Sequence, residues 1–530
     1  MADLAILNAA VWTVARVRPT AEAVAVRGER ILAVGSNRRV QELVCPHTRV
    51  IDARGRAVLP GFNDAHVHFL SGGFHLLGVD LRRARDEDEF VHLIREHVGP
   101  LPEGQWVTGG RWDHEAWPGR RRPTRWLIDP VTPRNPVLLR RLDGHVAVAN
   151  SLALGLAGIC GESADPPGGT IERDAEGGEP TGVLIDRAIS LVQRVIPEPD
   201  DAQRRRAART AMERAAAVGV TSVQSVAGAQ EFRTYQRLHA EGELTTRVYV
   251  LLPDALTAAA GQVGLAAAFG DGMLRCGGIK VFADGSLGAG SALLFEPYAD
   301  NADSTGLCIH SEDELAELVA GIDGVGLQAV IHAIGDRATH MVLNAFERAL
   351  GETGHPAARH RIEHAQVLRP DDRERFARLG VIASIQPSHC TDDMRWVESR
   401  LGDRCRIAYP YRSLVDAGAR TALGTDWVVE PLNPMLGLHA AVTRELPGGG
   451  PAGGWQPQER VNLERAIEDY TLGSAYAEFQ EREKGSIEVG KLADLVILSK
   501  DLLELSGGGI LDCEVDVTIL GGRVIFERSG

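Results

Sequence analysis

The stretch PGFNDAHVH, residues 60–68, places His66 and His68 two positions apart after an apolar run. Residues i and i+2 of a strand point to the same side, so both imidazoles can enter one site. Two such histidines alone are more often core or surface residues than metal ligands. Three further stretches repeat the pattern of one polar group at the end of an apolar run: His332 in AVIHAIGDRA, His364 in RHRIEHAQ and Asp426 in RTALGTDW. Each of these, alone, also reads as structural. As an ordered series they gain meaning. Imidazoles and a carboxylate, gathered from the ends of separate strands, suit zinc or a similar divalent ion with positions left open for water.

Between these stretches lies GGIKVFAD, residues 277–284. The chain contains 57 Lys plus Arg, of which only Lys280, Lys484, Lys491 and Lys500 are lysines. Lys280 therefore stands in an apolar strand in a chain that otherwise uses arginine. Strand alternation puts Lys280, Phe282 and Asp284 on one face and Ile279, Val281 and Ala283 on the other. A desolvated lysine can lose its proton and act as a nucleophile, whereas arginine stays protonated. The plainer reading is a lysine snorkelling from its strand.

These residues need elements that bring strand ends together. Apolar runs such as VTSVQSV, GGIKVFA, LQAVIHA and VIASIQP alternate with helical-period stretches such as AQRRRAARTAMERAAAVG and RATHMVLNAFERALGETG. Strand then helix, repeated, predicts parallel βα units. Six or more units with polar strand ends fit a (β/α)8 TIM-like barrel, whose active site lies at the C-terminal ends of the strands. A doubly wound open sheet competes, but no GxGxxG opens a helix after the first strand. The first sixty and last fifty residues read instead as short antiparallel strands. The expected division is a β-sandwich whose first part is 1–60, a barrel over 61–475, and the second part of the sandwich over 476–530. Residues 100–200 fit the repeat poorly. They hold Trp106, Trp112, Trp117 and Trp126 and a turn-rich segment, and read as an insertion or lid.

At 530 residues the chain exceeds the usual single domain. Its net charge of −15 argues against nucleic acid or an anionic membrane as partner. No run of about 18 apolar residues occurs, so no membrane span is expected. The first residues lack a basic n-region, so no signal peptide is expected either. The seven cysteines are scattered and never CxxC, which fits a reducing cytoplasm and no thiolate zinc site.

The set LPGFNDAHVHF, DGHVAVANSLAL, GGIKVFADGSLG, HAIGDRA, RIEHAQ, GTDW, LNPMLGLHAAVTR and GSIEVGKLADLVIL, spread over about residues 50–500, resembles the amidohydrolase superfamily. Within it the chain is similar to the YtcJ-like (amidohydrolase-3) branch, which includes N-substituted formamide deformylases. The resemblance implies His66, His68, His332, His364 and Asp426 as ligands of one or two metal ions. It implies Lys280 as a lysine that CO2 converts to a carbamate bridging the metals, with an unmodified Lys280 beside a single ion as the alternative. It gives His145, in RLDGHVAVANS, a contact to the substrate or oxyanion, against a structural reading as a hydrogen-bonded histidine. Asp284, Asp336 and Arg337 are expected to fix loops at the mouth. His75, His114, His310, His340, His389 and His439 are read as structural, His389 with the option of lining the pocket. Two departures bear on substrate. Residues 288–292 lack a basic side chain often placed there, and the bulky Trp427 follows Asp426.

The expected activity is metal-dependent hydrolysis of a non-peptide C–N bond, amide or formamide, through metal-activated hydroxide. Asp426 would take the proton and pass it to the leaving nitrogen. Ester or lactone hydrolysis, deamination or decarboxylation on the same site are the alternatives, and a non-catalytic binding protein is a third. The expected partners are a small amide-type molecule and, in assembly, a second copy of the chain as a homodimer.

Overall fold

The structure, a computed structural model, describes residues 1–142, 144–351, 355–502, 505 and 507–528. It separates into two compact units, one of residues 1–70 and 211–530 and the other of residues 71–210.

The first unit contains a parallel barrel of eight strands: β1 Phe62–Val67, β2 Val220–Val226, β3 Arg247–Pro253, β4 Leu274–Phe282, β5 Gln328–Ala333, β6 Arg361–His364, β7 Ile382–Ile385 and β8 Arg420–Leu423. They pair in chain order. The strands are buried almost throughout, as a parallel sheet covered on both faces requires. The seam between β8 and β1 is carried by a parallel bridge from Val67 to Trp427. Asp426 N also donates to His66 O at 2.7 Å, and His68 N to Trp427 O at 2.6 Å.

Local chemistry sets the crossover helices. Glu312–Gly324 starts with a capping box, in which Ser311 Oγ accepts from Glu314 N and the Glu314 carboxylate accepts from Ser311 N. Asp336–Leu350 buries Met341, Val342, Ala345 and Phe346 on one stripe. Pro370–Leu379 opens on a proline and ends at Gly380 with φ +67°.

The same unit holds two further sheets built from both chain ends. One orders Arg30–Gly35, Ala23–Arg27, Leu4–Leu7 and Arg49–Asp52. The other orders Arg523–Glu527, Val515–Leu520, Leu495–Leu498, Ala57–Pro60, Ala10–Trp12 and Thr20–Ala21. Leu495–Leu498 lies antiparallel to Ala57–Pro60, with Val496 opposite Leu59. Leu4, Ile6, Val24, Val58, Leu495, Ile497 and Val517 share one core. The sandwich is tied to the barrel by a buried pair, Arg247 Nε to Asp494 Oδ2 at 2.7 Å and Nη2 to Oδ1 at 2.8 Å.

The unit of residues 71–210 begins earlier than the expected insertion at 100. It is a six-stranded sheet with Val146–Ala149 and Leu138–Arg141 at its centre. Trp112 and Trp117 are core side chains there, their rings 6.2 and 5.3 Å from that of Phe90. Among the described residues no helix is long and apolar enough to cross a membrane, and the seven cysteines are free thiols.

Candidate metal centre

Strand register brings the expected residues to neighbouring ends. Phe282 of β4 lies opposite His332 of β5, His332 opposite Glu363 of β6, and Ala333 opposite His364. Barrel closure adds Asp426, whose backbone is bound to His66 across the seam. Its Oδ1 lies 3.5 Å from His66 Nε2 and 3.5 Å from His68 Nε2. Asp64 stiffens the seam. Its Oδ1 accepts from Thr425 N at 2.9 Å and from His66 N at 3.2 Å, and its Oδ2 accepts from Thr425 Oγ1 at 2.6 Å. Ligand atoms of His66, His364 and Asp426 lie within 4.8 Å of one another. The rings of His332 and His364 are 4.5 Å apart, and those of His66 and His364 5.3 Å.

A regular strand would point Glu363 and His364 to opposite faces. His364 escapes that rule with φ +76°, and Ala365 follows with φ +44°. Both Glu363 and His364 therefore reach His66. Asp426 also holds a left-handed backbone, φ +56°. Non-glycine residues in that region carry backbone strain that the surrounding structure must overcome, and such residues gather at functional sites.

Three of the imidazoles have one nitrogen close to an oxygen. His66 Nδ1 is 3.0 Å from Glu363 Oε2, His364 Nδ1 is 2.9 Å from Gln386 Oε1, and His332 Nε2 is 3.1 Å from Gly285 O. An acceptor at one nitrogen fixes a proton there and leaves the other as a free donor, the arrangement metal-ligating histidines use. Burial pushes His66 and His364 below the ordinary histidine range and His332 down to about 3, with Lys280 adding to the effect at all three. All three are thus neutral at pH 7, the form that binds a metal. Burial disfavours the Asp426 carboxylate. The hydrogen bond from His68 works against that burial, and Asp426 lies below the ordinary range.

Lys280 is 2% exposed. Its Nζ has no hydrogen-bond partner among the described residues and sits 4.8 Å from the Phe282 ring centroid, so the two side chains share a face as alternation requires. Burial lowers its pKa to about 8 against the opposing pull of Glu363 and Asp426. Neutral imidazoles, an ionised carboxylate and a buried amine are a donor set that fits a divalent cation.

Other expected residues make contacts of their own. His145 belongs to the unit of residues 71–210, is exposed, and has Nδ1 2.8 Å from Asp186 Oδ1. The Trp427 indole is buried and packs on Phe69 with rings 6.0 Å apart, so it fills core space rather than substrate space. Asp284 accepts from the backbone N–H groups of Leu293, Ile334 and Gly335 at 2.8–3.0 Å, and Asp336 from Phe295 N at 3.1 Å.

Among the described residues, several buried side chains around the centre besides Asp64 carry no assignment from sequence. They include Arg361, Glu363, Gln366 and Gln386. His389, read as structural, joins them. Its Nδ1 is 3.0 Å from Gln366 Nε2, its Nε2 3.9 Å from Asp426 Oδ2, and its ring stacks 5.9 Å from that of His364. One signal pointed at the first pair: Arg361 and Glu363 are charged residues two apart in the strand Arg361–His364, where alternation puts them on one face.

Comparison with known proteins agrees with this architecture. The sequence pattern of the amidohydrolase family (Amidohydro_3) matches residues 49–526. The chain is 36% identical to Protein LONG AFTER FAR-RED 3 of Arabidopsis thaliana, covering 99% of this chain and 92% of that protein. It is 30% identical to N-substituted formamide deformylase of Arthrobacter pascens, covering 100% and 99%. Among solved structures, an uncharacterized metal-dependent hydrolase from Pyrococcus furiosus matches with a TM-score of 0.79 and 31% identity over 94% of this chain and 100% of that one. The chain belongs to the amidohydrolase family, in the amidohydrolase-3 branch that its motifs resemble.

Proposed function

We propose that the protein is a metal-dependent hydrolase of a non-peptide C–N bond in a small molecule, an N-substituted amide or formamide. The observation that carries this reading is the meeting of His66, His68 and Asp426 at the barrel seam, with a ligand atom of His364 within 4.8 Å of those of His66 and Asp426. His66, His68, His332, His364 and Asp426 would hold the ion. A divalent metal, zinc being a good match to imidazole and carboxylate donors, supplies Lewis acidity and makes water nucleophilic near neutral pH.

The chain's own groups do the rest. Asp426 turns Oδ1 to the two histidines and Oδ2 toward His389. Oδ2 would take a proton from the attacking water and return it to the leaving nitrogen. That return matters most for amides, because an amine leaves poorly unless protonated. Lys280, lowered to about 8, has a neutral fraction that can add CO2. Its nitrogen bonds the carbon, one C=O electron pair becomes the carbamate charge, and the amine proton leaves to solvent. An anionic oxygen donor then stands where a cation would repel the metal. The role proposed for His145 is the one the resemblance gives it, reaching the substrate or stabilising the oxyanion. The name of the Arthrobacter pascens relative supports formamides as the first substrates to test. The seven free thiols support a reducing compartment, the cytoplasm.

The test is a side-by-side screen of metal-loaded protein against N-substituted formamides, acyl amines, lactones and aromatic acids, with Asp426→Asn as comparison. Formamide or amide hydrolysis that Asp426→Asn lowers by about 10²–10⁴-fold is expected. Turnover of only lactones or aromatic acids, or full amide hydrolysis by the variant, overturns the reading.

A further inference from the structure

Three imidazoles of the centre each have one nitrogen 2.9–3.1 Å from an oxygen, and the three oxygens differ in kind. His364 faces an amide oxygen and His332 a backbone carbonyl. His66 faces a carboxylate, with Nδ1 3.0 Å from Glu363 Oε2. Glu363 is completely buried, and its other oxygen is 2.7 Å from Arg361 Nε. Arg361 is completely buried too. It donates through Nη1 to Gln224 Oε1 and through Nη2 to Ala65 O at 3.0 Å, and Ala65 immediately precedes His66. Gln224 is in turn held by its own Nε2 on Ser474 O at 2.7 Å. The guanidinium thus ties the Glu363 carboxylate and the strand carrying His66 to one point.

A buried ion pair adds little net stability compared with apolar residues of the same size. Its presence in the middle of a barrel calls for another role. We infer that Glu363 is a positioning residue for the metal centre: its carboxylate keeps the His66 proton on Nδ1, so that Nε2, 3.5 Å from Asp426 Oδ1, is the donor atom, and its charge makes His66 a stronger donor than His332 or His364. Arg361 holds that carboxylate in line. The inference rests on the reading of His66 as a metal ligand.

Two variants separate this role from simple pairing with Arg361. Glu363→Gln keeps an acceptor without the charge but leaves Arg361 buried and unpaired. The double variant Arg361→Met/Glu363→Met removes both charges and the acceptor. Metal-stripped protein is titrated with zinc against a chromophoric chelator, the absorption spectrum of the cobalt(II)-loaded protein is recorded, and thermal unfolding without metal reports the fold. Both variants are expected to bind zinc about 10–100-fold more weakly than wild type, the double variant more so, with an altered cobalt spectrum. The metal-free double variant should unfold near the wild-type midpoint.

Wild-type zinc affinity and spectrum in the double variant would overturn the inference and leave Glu363 as a partner of Arg361 alone. A double variant that does not fold overturns it as well, because the pair would then hold the barrel. Failure of the wild type itself to take up zinc would instead remove the metal-site reading on which the inference stands.

Discussion

Lys280 is buried at the end of β4, with its Nζ over the Phe282 ring and no hydrogen-bond partner among the described residues. Burial and function pull the same way here. Taking the ammonium out of water lowers its pKa to about 8, and a neutral amine is the form that can be carboxylated. Arginine in its place would stay charged beside the histidines and could not add CO2. Lys280→Arg is therefore expected to fold and to lose metal by more than the roughly 10–100-fold that removal of a supporting partner costs. Metal analysis after dialysis, with a ¹³C carbamate signal from labelled bicarbonate in the wild type and none in the variant, checks this. Equal metal content and turnover in both proteins would refute it.

The barrel seam is the element on which the centre depends. Asp426 reaches His66 and His68 only because β8 returns to β1, and that approach is close. A Cβ on Gly424 would stand 2.6 Å from His66 N and 2.7 Å from Asp64 Oδ1, closer than real Cβ contacts come. Gly424→Ala must push β8 away from β1. The expected cost is about 1–3 kcal/mol of stability, as for other overpacked sites. Because the displaced strand carries Asp426, zinc affinity should fall in the same variant. Thermal unfolding and chelator competition measure the two effects, and a destabilised variant with wild-type zinc affinity would show that the seam does not place Asp426.

Across the first unit, one buried pair joins the barrel to the sandwich. Burial disfavours the Asp494 carboxylate, but Arg247 and the Gly521 N–H outweigh it, so its pKa lies below the ordinary value. A carboxylate with a depressed folded pKa contributes stability above its unfolded pKa and loses it as pH falls through the folded one. Asp494→Asn leaves Arg247 buried and unpaired and should cost about 3–5 kcal/mol at pH 7. The gap to wild type should narrow as the pH falls below about 4, where the carboxylate of the unfolded chain begins to protonate while the folded one still holds its charge. Thermal midpoints of both proteins over pH 3–8 test this; a gap that stays constant with pH would sink it.

Much of this protein was readable along the chain. The period of the apolar runs predicted the barrel, the two β-rich ends predicted sheets shared by both termini, and His332 was visible because a polar residue closed an apolar run. Lys280 stood out because arginine is used almost everywhere else. The starting point of the unit at residue 71 was not visible, because its strands are short and irregular and share no period with the barrel. Trp427 could be seen as bulky, but only packing on Phe69 showed which way it faces. Glu363 and Arg361 escaped for a related reason. A charged residue in a strand has meaning only through its partners, and theirs come from β1 and β2, more than a hundred residues away. The left-handed turn at His364 lets adjacent residues serve one site, against the alternation on which strand reading depends. Local periodicity determined which residues stand at strand ends. Barrel closure, register and those backbone departures decided which atoms meet.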